Sequence, residues 1–193
     1  TNLANGVIIH FNIKRYDSVM DKVAISIKEK DGTLIKKFSN RDKNNKLKVK
    51  KGGNTFVWNT LYNGPETPKD MIFWSASFDG AKAVPGEYKV VLEKNQLSEE
   101  QDFTILPDPR SEVSISQMKK QFDFINNINK TVDRAHRAIK NIRIICKKLK
   151  DFVDNYSDVQ KYSDLMNKAK SLSKSLNDVE KTLYQTQNKS AQD

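Results

Sequence analysis

Cysteine is nearly absent: Cys146 is the single one, so no intramolecular disulfide can form. The two histidines, His10 and His136, lie far apart in sequence and no His or Cys cluster has ligand spacing, which argues against structural zinc. The residues therefore assign no metal site, no cofactor-binding residue and no cofactor. No apolar run reaches the ~18 residues that a membrane helix needs, so no membrane span is predicted. A Gly-rich phosphate loop, a nucleophile elbow and an HExxH motif are all missing. Asp31, Asp79 and Asp108 stand beside Gly or Pro, where turn formation accounts for them, and no acid–nucleophile pair can be assigned. The expectation is a protein that is not an enzyme, with no catalytic residue. Glycine and proline are both missing after Pro109, which excludes tight turns of the usual chemistry from the last part of the chain. At the other end, Thr1 to Gly6 has neither a basic nor an apolar leader pattern. The expectation is that these residues begin after any signal peptide or inside a longer chain.

What is abundant is lysine. The formal net charge is +10 with a sequence pI near 9.5, and 28 of the 34 basic residues are Lys. A basic balance of this size suits a polyanion-binding surface. Arginine, the residue suited to planar, bidentate phosphate recognition, is scarce, which favours a solvated lysine surface over specific nucleic-acid binding. The stretch Lys36 to Lys51 holds eight Lys or Arg, one Asp, and Phe38 as its one aromatic. Single-strand platforms interleave basic and aromatic residues. A solvated loop is the better reading here.

The hydrophobic period changes at Leu106-Pro107-Asp108-Pro109-Arg110, where two prolines favour an extended joint. Before it, short alternating runs read as strands: Val7–Ile13, Val23–Lys30, Leu34–Phe38, Asn54–Asn59, Met71–Ala76, Pro85–Leu92 and Gln101–Ile105, with Asp31-Gly32 as a hairpin turn. About seven strands in this length predict an Ig-like sandwich without a disulfide. After the joint, Ile125, Val132, Ile139, Cys146 and Val153 form one series of a seven-residue repeat, and Ile128, Ala135, Ile142 and Leu149 form the other. The pattern resumes through Leu165, Ala169, Leu172, Leu176, Val179 and Leu183. Ser114 with Gln117, and Ser157 with Gln160, fit the capping box that opens a helix. The prediction is an α+β chain by segments: an all-β Ig-like sandwich over 1–107, then an antiparallel two-helix hairpin over 108–193. Helices of about 40 and 30 residues would span roughly 60 and 45 Å.

Candidate binding residues are few. Trp58 and Trp74 lie in apolar strand runs and are expected in the core rather than on a sugar platform. Tyr88 is expected to pack against a sheet, Cys146 to sit in the seam as a small hydrophobe, and His136 to be exposed or half-exposed. The longer helix outruns its partner near its start, so Met118, Phe122 and Ile125 need cover from the sandwich or from another chain. They form the candidate interaction surface.

The run Gly53-Asn54-Thr55-Phe56-Val57-Trp58-Asn59, then Met71-Ile72-Phe73-Trp74-Ser75-Ala76, then Val84-Pro85-Gly86-Glu87-Tyr88, closes on Asp108-Pro109-Arg110 and Gln121-Phe122-Asp123-Phe124. Over essentially the whole chain this order resembles the C-terminal region of large bacterial BNR-repeat (Asp-box) glycosyl hydrolases and sortilin-like propellers. Its strand region is similar to the Ig-like domain of flagellar hook-capping proteins. The Asp-box pattern itself is absent, so no catalytic residue carries over. The resemblance implies a C-terminal accessory region of an exported protein (periplasmic, cell-surface or secreted), with an upstream propeller as partner. Self-association or a protein partner through the hairpin is open. A carbohydrate-binding module using exposed aromatics, and a polyanion binder, are the competing readings.

Overall fold

The computed structural model describes residues 5–69, 71–73, 78–157 and 159–190. Six strands precede the helices: β1 (Val7–Ile13), β2 (Val23–Glu29), β3 (Leu34–Ser39), β4 (Gly52–Trp58), β5 (Gly86–Lys94) and β6 (Leu97–Ile105). Then come α1 (Ile115–Tyr156), a 3-10 turn (Gln160–Tyr162) and α2 (Ser163–Leu183). The α+β organisation expected from the change of period is present. The chain divides into two compact units, 1–64 with 79–126, and 65–78 with 127–193. These units interleave in sequence, whereas the sequence reading sets a single boundary at 107. Segment 65–78 groups with the helices, and the first turns of α1 group with the strands.

In the first unit β1 pairs antiparallel with β4, and a second antiparallel sheet has the order β3-β2-β5-β6. Period-two patterning sorts the side chains: Ile13 and Trp58 from the small sheet meet Val23, Ile25, Ile27, Ile35 and Tyr88 from the large one in a single buried cluster. Central β2 is covered on both faces over Val23–Ile27, which is why it reads as a nearly continuous apolar run. Trp58 is fully buried and its indole N–H donates to the Leu61 carbonyl at 3.1 Å. Its ring stands edge-on to Tyr88 and Phe103 at 6.1 and 6.4 Å. Tyr88 is buried as expected, and its hydroxyl donates to the Val84 carbonyl at 2.6 Å. Burial pushes the Tyr62 and Tyr88 phenols above their usual range; Tyr62 donates to the Glu29 carboxylate at 3.0 Å.

Turn chemistry fixes the connections. Asp31 accepts the Thr33 amide at 2.8 Å while Gly32 takes φ +92°, closing β2 onto β3. Asn95, at φ 55°, opens the two-residue link between β5 and β6. Its side chain accepts the Lys22 amide and donates to Asp21, both at 2.9 Å. Gly80 is fixed by proximity: a Cβ there would lie 2.3 Å from the Tyr62 carbonyl oxygen, beside the Leu61–Lys82 bridge.

Two strand expectations are corrected. Met71–Phe73 forms no strand, and 74–77, which includes Trp74, lies outside the described residues. The last strand begins at Leu97 rather than Gln101. Leu97–Gln101 lacks alternation because β6 is an edge strand with little of its length buried, where charged residues are usual.

Both ends of α1 and α2 depend on local chemistry. Ser114 and Gln117 form the expected box: the Gln117 amide donates to Ser114 Oγ, and the Gln117 side chain accepts from the Ser114 amide at 2.9 Å. The Ser157–Gln160 box is not used. α1 continues to Tyr156, Gln160 opens the 3-10 turn, and α2 starts at Ser163 without a side-chain cap. Tyr184 is already extended, at φ −152°. The helices thus have 42 and 21 residues, about 63 and 32 Å long, so the excess of α1 is about twice that expected.

Candidate interaction surface

Within the second unit α1 and α2 run antiparallel along a mixed seam. Ile139, Ile142 and Ala169 are buried in it. Beside them Arg143 Nε donates to the buried Glu180 carboxylate at 2.8 Å, and Cys146 Sγ contacts the Ser173 carbonyl and Asn177 Oδ1 at 3.8 and 3.5 Å. Cys146 is half-buried and hydrogen-bonded rather than a purely apolar seam residue. Ion pairing answers the cost of burying Glu180, since an unpaired buried carboxylate is unfavourable by several kcal/mol.

His136 departs from its expected exposure. It is 6% exposed, because residues 65–69 and 71–73 lie along α1 and cover it. Its Nδ1–H donates to the Glu66 carbonyl at 2.8 Å, the Glu66 amide donates to Asp133 at 3.1 Å, and Lys140 reaches the Glu66 carboxylate at 2.9 Å. Arg143 donates to the Lys69 carbonyl at 3.0 Å, and the Tyr184 hydroxyl donates to the Ile72 carbonyl at 2.9 Å. Phe73 and Phe78 pack within 6.0 and 5.6 Å of the His136 ring. The segment's backbone groups thus find partners on the helices, which explains why it forms no strand. Sequence periodicity cannot show this, because helix-to-loop capping has no repeat.

The candidate residues Met118, Phe122 and Ile125 lie on the part of α1 that belongs to the first unit, and all three are half-buried. Phe122 meets the Tyr62 ring edge-on at 4.8 Å between centroids. Phe124, two residues on and so on the opposite side of the helix, is 66% exposed.

The two sides of the α1–α2 seam differ. With about 100° per residue and antiparallel helices, residues just before the seam positions in angle share one side on both helices. One side carries an open groove of about 650 Å³, floored by Cys146 and Ala169 and rimmed by lysines such as Lys150, Lys170 and Lys174. The other side carries Ile145 and Tyr156 from α1 with Leu165, Leu172, Val179 and Leu183 from α2, each between 42% and 54% exposed. The sequence shows both α2 series at heptad spacing, but only the structure shows that, among the described residues, Leu165, Leu172, Val179 and Leu183 are left exposed.

Among the described residues no group of three or more His, Cys, Asp or Glu could hold a metal ion, and no helix is long and apolar enough to cross a membrane. No protein-family model, no curated protein and no solved structure matches the chain.

Proposed function

We propose that this chain is a non-catalytic accessory and interaction module, in which the strands form the supporting body and the α1–α2 pair presents the binding surface. The observation that carries the reading is the uncovered apolar row on the helical pair. Soluble surfaces scatter apolar residues singly, whereas a contiguous patch rimmed by polar groups marks an interaction site. The resemblance noted in the sequence supports placing the module in an exported protein beside a propeller, within which the strands would pack. Trp58, fully buried, offers no ring to a sugar, which weighs against the carbohydrate-binding alternative.

Site-specific photo-crosslinking tests this reading. A crosslinker replacing Leu172 on α2 is expected to capture protein from an extract of the source cells. The same group replacing Leu97, which is 76% exposed in the first unit, is expected to capture none. Adducts from Leu97 alone would assign binding to the strands and overturn the proposal. Retention of the unmodified chain on a glycan array would do the same in favour of carbohydrate.

A further inference from the structure

Resting on that reading, we infer that the partner of the α1–α2 row is an amphipathic helix with acidic flanks. The row has the geometry of a vacant helix slot. Leu165, Leu172 and Val179 repeat every seven residues, and the companion series Ala169, Leu176 and Leu183 lies one step round the helix toward α1. Ala169 is buried and Leu176 half-buried, so this series faces α1 over those two positions, while Leu183 at the end of the helix is exposed and joins the outward row. Two heptad series on one helix are what a three-helix arrangement requires, each facing a different neighbour. Ile145 and Tyr156 of α1 supply the other wall. From Leu165 to Leu183 the row runs about 27 Å, the length of an ordinary five-turn helix. A lipid surface would need an apolar face but no seven-residue register.

Charge selects among helices. Lys148 on α1, Lys161 in the 3-10 turn and Lys168 on α2 border the row; all three are exposed, and among the described residues none has an ion-pair partner. Asp164 offsets one of them. Asp151 and Asp154 project from the other side of α1, and Asp178 is paired with Lys181 at 3.1 Å. An incoming helix with Glu or Asp beside its apolar stripe would pair with these lysines, as flanking charges do in helical assemblies. A second copy of this chain would bring lysine against lysine.

The test uses the full chain and a labelled synthetic peptide of three heptads, with Leu at the seam positions and Glu at the flanking ones. Fluorescence anisotropy is expected to show saturable binding that weakens with salt. Leu172→Asp should weaken it by at least about tenfold, the loss typical of a central contact residue. Lys148→Glu combined with Lys168→Glu should weaken it too, while thermal melting of each variant stays at the parent value. Equal binding of a peptide with Lys at the flanks overturns the charge assignment. A dimer in light scattering that Leu172→Asp dissociates would identify a second copy as occupant instead. Binding to phosphatidylserine vesicles without peptide binding would identify a lipid surface. Crosslinking at Leu172 without peptide binding leaves the interaction module standing and removes the acidic helix; absence of both removes both.

Discussion

The strand unit and the helical unit are held together in contrasting ways. In the strand unit, inward residues from two sheets converge on Trp58, and the polar groups that reach the core find backbone partners nearby. In the helical unit the seam is mixed: Glu180 is buried in it through its bond to Arg143, and His136 is buried on α1 beneath Glu66, Phe73 and Phe78. Large apolar residues meanwhile stand on its outside. A core that closes on itself needs no partner. The helical pair instead buries Glu180 and leaves Leu165, Leu172 and Leu183 exposed, so much of its apolar surface lies outside its own seam.

The largest effect expected from attacking this contrast is Trp58→Ala, which empties a closed apolar site and should cost about 3–5 kcal/mol. Chemical denaturation followed by circular dichroism checks it, and a loss under 1 kcal/mol would mean that the cluster is not the strand unit's main support. Arg143→Ala comes next. It leaves Glu180 buried without its cation and frees the Lys69 carbonyl, for an expected loss of about 2–4 kcal/mol, allowing for the partial exposure of Arg143. The double variant Arg143→Met, Glu180→Leu should recover most of it. No recovery would show that the polar seam supports the pair by more than charge compensation.

Asp21 provides the smallest and most local test. The Asp17 amide first, then Asn95 and Lys94, hold its carboxyl at about 2 against an ordinary 3.8. A depressed carboxylate stabilises the fold above the ordinary value, and that contribution is lost as pH falls from about 4 through about 2. Asp21→Asn should therefore flatten the acid limb of the stability profile over that window. Asp108 is also held at about 2, but by Arg110 two residues away. That pair can persist in the unfolded chain, so Asp108→Asn should change the limb less. Equal effects from both variants would show that sequence-local pairing explains the depression at Asp21 as well.

The sequence made the architecture legible because burial writes a period: two for β1 and β4, three-and-four for α1. It located Trp58, Tyr88 and the Ser114–Gln117 cap for the same reason, since each is a local consequence of neighbours along the chain. It misread what depends on encounters between distant residues. His136 is buried by Glu66, Phe73 and Phe78, and nothing near position 136 announces them. Glu180 looks like a surface acid until Arg143 is placed beside it. The Ser157–Gln160 box failed because a capping pattern only permits a helix start, and the 3-10 turn took those residues. For the interaction surface, Met118, Phe122 and Ile125 are read from unequal helix lengths as residues in need of cover; they are half-buried, and the Phe122 ring meets Tyr62. The exposed α2 row was hidden because a heptad looks the same whether its partner is present or not.

The pairing registers also rank the order in which the strands can assemble. Across the Asn95–Gln96 link, β5 meets β6 starting from Lys94 opposite Leu97, so this hairpin closes by local zipping, a microsecond event of about 1–10 μs. β1 and β4 instead pair Val7 with Trp58 and Ile13 with Gly52, enclosing β2, β3 and the lysine-rich loop. Loop-closure entropy must be met in full before any of those contacts forms. β2 with β5 encloses a longer stretch still, from Glu29 opposite Tyr88 to Val23 opposite Lys94, so loop-closure cost is lowest for the two hairpins, higher for the small sheet and highest for joining β2 to β5.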